Sequence, residues 1–344
     1  MQKPVRVVQY GIGPIGLESI RTVLSKEHTG RIKLVGAIDI DPAKVGRDVA
    51  DLLHLSEPTG VVVSDDAAKV LSESNADVVL HTTSSFLGSM YRQLIDCAEA
   101  GCHVVSSTEE LSYPYDRHPS IAEELDAVAR QHGVSIIGTG VNPGYAMDAL
   151  ALMATGVCTQ VHNVTVERVV DASKRRLPLQ QKVGAGITEA EFAQKKATGK
   201  FGHIGLRESL LMVADGLGWP LSSVEESLEP VLADEKVDTP YLSVEKGQVA
   251  GIHHSIKGYV NGTCHLILDL KMYVGAKESF DSVTVDGVPP MKMKIADGIF
   301  GDTATIAALV NTVPLALSAK PGLHTVKDLP PVRAFATKLS EVKS

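Results

Sequence analysis

The sequence predicts an α/β protein in two parts, a doubly wound parallel sheet followed by a second α+β domain on a mixed or antiparallel sheet. A strand, a glycine loop and a helix follow one another in residues 5–24, and strands and helices then alternate over the first 145 residues. This alternation is typical of a parallel sheet with right-handed crossovers. Residues 243–295 instead contain successive strand patterns without intervening helices. We expect domains at 1–145 and 146–300, and an apolar C-terminal helix and tail at 301–344 that pack back on the first domain.

The glycine loop is the most informative stretch of the chain. A β-branched run that begins at Val5 is typical of a buried parallel strand, and from Leu17 apolar residues recur every three or four positions, as in a helix. Between them the G-x-G-x-x-G spacing allows a tight turn, a close approach to a pyrophosphate, and close packing of helix on strand. The free N–H groups at the helix start would face the phosphates. The predicted phosphate-binding residues are Gly11, Ile12, Gly13, Pro14, Ile15 and Gly16.

The second predicted strand ends at Asp39, and this residue bears on the choice of cofactor. An acidic residue about 20 positions beyond the glycines binds the hydroxyls of an adenosine ribose. The pattern therefore predicts a Rossmann-type dinucleotide-binding domain, with a glycine turn for packing alone as the alternative. Lys44 and Arg47 could reach a 2′-phosphate that Asp39 would repel, or they could be solvated surface charges. We expect a cofactor that is NAD or NADP, with NAD favoured.

Polar side chains follow two later strands of the predicted sheet. Thr82, Thr83 and Ser84 come directly after the strand that begins at Ala76, and ligands of doubly wound sheets lie at the carboxyl ends of strands. These three hydroxyls are candidates for cofactor binding, for capping the next helix, or for both. Asn142 follows a later strand and could bind the nicotinamide amide or a substrate group, or form a turn into Pro143. The candidate substrate pocket comprises Asn142, Pro143, Tyr145 and His203.

Two adjacent acids, Glu109 and Glu110, follow the strand that begins at His103. A partly desolvated carboxylate at this edge would serve as a general acid or base. Acidic residues also favour the first turn of a helix for electrostatic reasons alone. Because adjacent side chains cannot both point inward, we expect one of the two to be catalytic, and we favour Glu109.

Composition excludes several classes of protein. The net charge of −8 argues against a nucleic-acid-binding surface, and no apolar run is long enough to span a bilayer. The first strand pattern starts so early that we expect no signal peptide and a cytoplasmic location. The four cysteines form no C-x-x-C pair, so we expect reduced thiols that are small core residues. No metal-ligand spacing occurs, and we expect no metal cofactor.

The chain resembles the dihydrodipicolinate-reductase-like family that includes 2,4-diaminopentanoate dehydrogenase and the native amine dehydrogenases. The resemblance extends over nearly the whole chain, and its glutamate, asparagine and tail motifs are more specific than the glycine loop. These motifs are V-V-Q-Y-G-I-G-P-I-G from Val7, S-S-T-E-E-L-S-Y-P from Ser106, G-T-G-V-N-P-G from Gly138, G-H-I-G-L-R-E-S from Gly202, A-L-V-N-T-V-P from Ala308 and P-G-L-H-T-V-K-D-L-P from Pro321.

The resemblance implies reversible oxidative deamination of an amine, with the catalytic glutamate within Glu109–Glu110. It also implies ammonia as the second substrate of the reverse reaction, and an α+β domain that closes on the substrate and forms a homodimer. We expect the basic run Lys174, Arg175 and Arg176 to be a solvated loop rather than a carboxylate clamp. We therefore favour substrates that need no such clamp, namely simple amines or a diamine-type acid.

Three alternatives remain open at this stage. The stretch H-H-S-I-K from His253 matches the proton-donor motif H-H-x-x-K of dihydrodipicolinate reductases, but it lies on a predicted strand, where adjacent side chains face opposite sides. We interpret it as coincidence, although a reductase of that kind stays an alternative. A semialdehyde-forming dehydrogenase would need a nucleophilic cysteine at a strand end, and a non-catalytic NAD(P)-binding sensor would not need the two glutamates.

Overall fold

The computed structural model describes residues 3–199 and 201–335, which form two compact units. The first unit combines the described residues up to 144 with those from 301 onward, and the second is Tyr145–Phe300. Among the described residues, no helix is both long and apolar enough to cross a membrane.

The two units contain ten α-helices and fifteen strands within the described residues. The helices are α1 (Pro14–Lys26), α2 (Val49–Leu53), α3 (Ala67–Ser74), α4 (Tyr91–Glu99), α5 (Pro119–His132), α6 (Ala149–Thr155), α7 (Leu177–Lys182), α8 (Glu189–Ala197), α9 (Leu206–Gly216) and α10 (Gly301–Ser318). The strands are β1 (Val5–Tyr10), β2 (Ile32–Ile38), β3 (Val63–Ser64), β4 (Val78–His81), β5 (His103–Ser106), β6 (Ser135–Gly138), β7 (Gln160–Asp171), β8 (Ser223–Leu232), β9 (Val237–Asp238), β10 (Ser243–Val244), β11 (Val249–Val260), β12 (Thr263–Tyr273), β13 (Phe280–Val288), β14 (Met291–Ala296) and β15 (Gly322–His324).

The first unit is built on a parallel sheet with the strand order β15-β6-β5-β4-β1-β2-β3. Because side chains alternate along a strand, each face of this sheet carries its own apolar cluster. Val7 packs with α1 and α10 on one face, whereas the adjacent Val8 packs with α4 and α5 on the other. This arrangement confirms the doubly wound parallel sheet. The strand order reverses at β1, which lies between β4 and β2.

The second unit is built on a mixed sheet with the order β14-β13-β7-β12-β11-β8. Strands β7 and β12 run parallel, and the other neighbours are antiparallel. The sheet packs against α9 on one face, since the apolar side chains of Leu210 and Leu221 lie close to Gly258 of β11. The structure therefore confirms an α+β domain with a mixed sheet.

Local sequence signals explain where several helices begin. Pro14 occupies the first turn of α1, where a missing N–H leaves no hydrogen bond unmade. Helix α8 begins with a capping box, in which the Thr188 hydroxyl accepts from the Glu191 amide and the Glu191 carboxylate accepts from the Thr188 amide.

Candidate functional site

The glycine loop joins β1 to α1 at the point where the strand order reverses. Gly13 is the N-cap of α1 and has an extended conformation (φ −70°, ψ −173°). The first N–H groups of an α-helix have no intrahelical acceptor, so those at this helix start are oriented toward the space outside the loop. Such a helix start favours a phosphate group through both its N–H donors and its dipole.

The three glycines of the loop differ in what a side chain would meet. A Cβ at Gly16 would lie 1.9 Å from the carbonyl oxygen of Gly11, and one at Gly11 would lie 2.8 Å from that of Thr82. A Cβ at Gly13 would meet no atom within 4 Å. The fold itself therefore requires the first and third glycines but not the second. The open space at Gly13 fits a loop that must approach a pyrophosphate closely.

The hydroxyls that follow β4 are engaged within the first unit. Thr82 Oγ1 donates to the carbonyl oxygen of Gly11 at 2.8 Å and accepts from Gln9 Nε2 at 2.9 Å, which braces the glycine loop. Thr83 Oγ1 donates to Gln93 Oε1 at 2.8 Å. Ser84 Oγ accepts from the amide of Phe86 at 3.1 Å, at the start of the turn Leu87–Ser89. The hydroxyl of Thr82 therefore braces the glycine loop. The expected capping of the next helix is wrong, because neither the turn Leu87–Ser89 nor α4 has a side-chain cap at its start. Direct cofactor contact by these hydroxyls stays a prediction.

Asp39 follows β2 and is bonded directly to the glycine loop. Its Oδ2 accepts from the amide of Ile12 at 2.6 Å and from Lys44 Nζ at 3.2 Å, and its Oδ1 accepts from the amide of Asp41 at 2.9 Å. Arg47 is exposed and donates to the carbonyl oxygen of Ala43 at 3.4 Å. The structure thus brings Lys44, but not Arg47, into contact with the acidic residue.

Glu109 and Glu110 begin a short 3-10 helix, Glu109–Ser112, just beyond the carboxyl end of β5. Glu110 Oε2 accepts from the amide of Leu87 at 2.8 Å and from His118 Nε2 at the same distance. The side chains of Glu110 and His118 are only 12% and 23% exposed. Glu109 is half-buried. The second glutamate therefore connects two loops and has a structural role, and catalysis by Glu109 stays a prediction.

Sequence reasoning missed His118 and His81, because neither lies in a recognisable motif. His81 ends β4 and is fully buried, with Nε2 2.9 Å from Gln93 Oε1 and Nδ1 3.1 Å from Ser106 Oγ. Burial lowers the pKa of His81 to about 4, so the imidazole is neutral at physiological pH. Ser106 Oγ continues the network by donating to Thr108 Oγ1, the residue before Glu109. A buried hydrogen-bond network thus supports the strand end that carries the glutamates.

The predicted pocket residues near the end of the first unit occupy a tightly folded loop. The Asn142–Pro143 peptide bond is cis, and Asn142 is half-buried. A Cβ at Gly140 would lie 3.0 Å from the carbonyl oxygen of Pro143, so the loop folds back closely on itself. Tyr145 is the first residue of the second unit and is half-buried.

In the second unit, His203 lies just before α9 and belongs to a buried polar cluster. Burial holds the pKa of His203 well below its usual value, and electrostatic effects of the nearby Lys182 and Arg168 act in the same direction. Its Nε2 is buried and has no hydrogen-bond partner within the described residues.

His253 and His254 bind carboxylates, Asp269 at 2.7 Å and Glu226 at 2.8 Å respectively. His254 is 6% exposed against 35% for His253, as expected for opposite faces of a strand.

The basic run after β7 is only partly a solvated loop. Lys174 has a side chain that is 82% exposed, as expected, but Arg175 is buried with its guanidinium 4.5 Å from the centre of the Phe300 ring. The expectation of a solvated loop is therefore wrong for Arg175, because the guanidinium stacks on an aromatic face. A polar cavity of about 170 Å³ adjoins it, and Asp171 also lines this cavity.

The comparisons with known proteins agree with this architecture. Residues 145–344 match the family model of the 2,4-diaminopentanoate dehydrogenase C-terminal domain. The chain is 34% identical over 340 residues to 2,4-diaminopentanoate dehydrogenase of Acetoanaerobium sticklandii, with 96% of this chain and 95% of that relative covered. The chain belongs to the 2,4-diaminopentanoate dehydrogenase family.

More distant family relatives are amine dehydrogenases. One from Streptomyces virginiae is 23% identical over 352 residues, covering 95% of this chain and 96% of that protein. The solved structure of an amine dehydrogenase from Mycobacterium smegmatis matches with a TM-score of 0.84 at 26% identity, covering 97% of this chain and 98% of that one. These findings confirm the resemblance read from the sequence and support an NAD(P)-dependent amine dehydrogenase.

Proposed function

We propose that the protein catalyses the reversible oxidative deamination of an amine or of a 2,4-diaminopentanoate-like substrate. The reverse reaction is the reductive amination of a carbonyl compound with ammonia. The first unit holds the cofactor, with NAD favoured over NADP, and the second unit supplies substrate contacts. Family membership and the position of Glu109 beyond β5 support this proposal.

The cofactor proposal is supported by the open space at Gly13 and by the start of α1. Gly13, Ile15 and Gly16 would provide amide donors to the pyrophosphate, and Asp39 would bind the adenosine ribose. Bound there, a nicotinamide dinucleotide would accept the hydride that leaves the carbon bearing the amine.

Glu109 would act as the general base and acid of the reaction. Loss of hydride leaves an iminium carbon on the substrate, and the Glu109 carboxylate would remove a proton from the water that attacks it. The resulting carbinolamine expels its nitrogen as ammonia, with proton transfer assisted by the same carboxyl group. A positioned carboxylate typically contributes about 10²- to 10⁴-fold to such steps. The observation that carries the assignment is the place of Glu109, which is half-buried just beyond the carboxyl end of β5.

Asn142, Pro143, Tyr145 and His203 are each proposed as substrate contacts. A neutral imidazole can both donate and accept a hydrogen bond, and the buried Nε2 of His203 fits a substrate contact. Arg175 is buried against Phe300 and lines a cavity that includes none of these four residues, so it is not among the proposed substrate contacts.

Initial-rate assays with NAD and NADP against simple amines, α-amino acids and 2,4-diaminopentanoate test the proposed function. We expect reduced cofactor to form with at least one amine, and a carbonyl product and ammonia to accumulate in equal amounts. The Lys69→Met variant is a matched surface control that should keep the full rate, because Lys69 is exposed on α3. Cofactor binding without turnover of any amine would instead favour a non-catalytic sensor.

We also propose that two copies form a homodimer through the second sheet. The face opposite α9 carries a row in which Thr165, Ile267 and Lys257 lie on neighbouring strands, half-exposed or exposed. An extended sheet face of this kind can pair with its own copy around a two-fold axis. Light scattering coupled to size-exclusion chromatography should give twice the chain mass, and Ile267→Glu should reduce it to one chain.

A cytoplasmic location is proposed from the cysteines. All four are free thiols, with Cys97 and Cys102 buried and Cys158 and Cys264 half-buried. Free thiols persist in a reducing compartment. Fractionation of cells that produce the protein at its natural level would test this location.

A further inference from the structure

The environment of Asp39 differs from that of an isolated acidic residue at a strand end. Its side chain is only 11% exposed, and both of its oxygens already accept hydrogen bonds from the chain. Lys44 Nζ lies 3.2 Å from Asp39 Oδ2 and 3.2 Å from Asp41 Oδ2, so one ammonium bridges two carboxylates. The negative charge that would repel a 2′-phosphate is therefore partly balanced by a cation in direct contact with it.

The position of Lys44 is fixed by the turn that carries it. The amide of Lys44 donates to the carbonyl oxygen of Asp41 at 2.9 Å, and the amide of Ala43 donates to Asp41 Oδ1 at 2.9 Å. Burial alone would lower the pKa of Lys44, but its hydrogen bonds to Asp41 and Asp39 outweigh this effect and raise it, so the side chain stays cationic. The Lys44 side chain is 25% exposed, so a ligand can reach it from solvent.

We propose that Lys44 is the residue that distinguishes the 2′-hydroxyl of NAD from the 2′-phosphate of NADP, and that it allows this site to bind both cofactors. With NAD, Lys44 stays on Asp39 and one ribose hydroxyl donates to the carboxylate. With NADP, the same ammonium donates to the phosphate, whose charge would otherwise face Asp39 alone. Arg47 does not take this role, because its guanidinium bonds to the carbonyl oxygen of Ala43, whereas Lys44 contacts Asp39 directly.

This inference rests on the cofactor-binding part of the proposed function and needs no amine substrate. The decisive experiment measures the dissociation constants of NADH and NADPH by nicotinamide fluorescence, for the whole chain and without substrate. For Lys44→Met we expect NADPH affinity to fall about tenfold or more, the scale of a lost charge-assisted hydrogen bond. NADH affinity should change by less than about threefold, because the ribose hydroxyl binds Asp39 and not Lys44.

Three further variants complete the test. Lys44→Arg keeps the cation and should keep the ratio of the two affinities, and Lys69→Met should leave both affinities unchanged. Asp39→Asn should shift the ratio toward NADPH, because it removes the repelling charge but retains an acceptor for the amide of Ile12. Raised salt should weaken NADPH binding more in the unmodified chain than in Lys44→Met.

The proposal is overturned if Lys44→Met lowers both affinities by the same factor, which would indicate a purely structural role. It is also overturned if Arg47→Gln changes the ratio as much as Lys44→Met, or if the unmodified chain does not bind NADPH. None of these outcomes depends on whether an amine is oxidised, so failure of the amine dehydrogenase proposal would be seen separately in the rate assays.

Discussion

Glu110 Oε2 accepts hydrogen bonds from His118 Nε2 and from the amide of Leu87, each at 2.8 Å, and so joins the loop after β5 to the loop after β4. These bonds give Glu110 a structural role, and Glu109 is the carboxylate that we propose for the chemistry. The pair Glu109 and Glu110 therefore offers an internal control, because both are glutamates at one strand end with different surroundings.

We predict that Glu109→Gln lowers kcat by about 10²-fold or more, the typical contribution of a general base. Its affinity for NADH should stay within about twofold of the unmodified chain, since Glu109 is not among the proposed cofactor residues. Steady-state kinetics and fluorescence titration of NADH check these two expectations. Equal losses of turnover and of cofactor affinity would indicate a structural role for Glu109.

For Glu110 we predict that the same substitution, Glu110→Gln, largely preserves turnover. Glu110→Gln retains a carbonyl oxygen that can accept from Leu87 and His118, so it should keep more than about a tenth of the turnover. Glu110→Ala removes the acceptor and should lower kcat further, together with the melting temperature. If Glu110→Gln were as inactive as Glu109→Gln, the assignment of the catalytic glutamate would fail.

The second prediction concerns the glycine loop, where one substitution should weaken NADH binding without a comparable loss of protein stability. Gly13→Ala should change the free energy of unfolding by less than about 1 kcal/mol, because its Cβ meets no atom within 4 Å. It should weaken NADH binding by about tenfold or more, equivalent to about 1.4 kcal/mol, because the Cβ occupies the space proposed for the pyrophosphate. Isothermal titration calorimetry and thermal denaturation measure the two effects.

Gly16→Ala is the matched comparison. Its Cβ would lie 1.9 Å from the Gly11 carbonyl oxygen, so the loop must shift, at a cost of about 1–3 kcal/mol or more. We therefore expect a clearly lower melting temperature for Gly16→Ala than for Gly13→Ala. A Gly13 variant that binds NADH as tightly as the unmodified chain would remove the support for the phosphate site.

The sequence predicted the helices and strands whose local hydrophobic pattern matches the conformation that they have in the folded protein. The strand patterns predicted over residues 243–295 are the strands β10 to β14 of the structure, which no helix interrupts. By contrast, Ser223–Leu232 gives no strand prediction, because its acidic residues obscure the alternation. It forms an edge strand through its pairing with β11. Likewise β15 pairs with β6, far away in the sequence, and only the folded chain reveals this.

The candidate functional site, like the fold, could be predicted only in part from the sequence. The carboxyl ends of β4 and β5 could be placed from the strand pattern, and with them the candidate hydroxyls and glutamates. The contact of Glu110 with His118 could not be predicted, because His118 reaches it through the conformation of an irregular loop. The burial of Arg175 depends on Phe300, which lies more than a hundred residues later and cannot be paired with it by local reasoning.

A buried ion pair in the second unit gives the third prediction. Arg168 and Asp281 are each 3% exposed and bonded to one another, and the Asp281 carboxylate also accepts from the amide of Ile299 at 2.7 Å. Removing one partner leaves the other charge buried, so Asp281→Ala should cost about 3–5 kcal/mol of unfolding free energy. Urea denaturation followed by the fluorescence of Trp219, the one tryptophan of the chain, reports on this unit.

The control for this pair is an exposed one. Lys236→Met removes an ion pair with Glu245 in which both side chains are more than half exposed, and it should cost less than about 1 kcal/mol. The double variant Arg168→Met with Asp281→Leu should cost less than the two single changes added together, because no charge is left buried. Additive losses would contradict the interpretation of Arg168 and Asp281 as a coupled pair.

The fourth prediction concerns the pH dependence that arises from His81. Burial lowers its pKa to about 4 in the folded protein, against a usual value of about 6.5 in an unfolded chain. Between these values the unfolded state binds more protons than the folded state, so stability falls as the pH falls from 6.5 toward 4, by up to about 3 kcal/mol from this residue. Stability measured by urea denaturation should therefore fall less steeply over this range in His81→Asn, which cannot titrate there. If that variant does not fold, the ring resonances of His81 in the unmodified chain, followed by NMR, should show no titration above about pH 5; a midpoint near 6.5 would contradict the buried neutral imidazole.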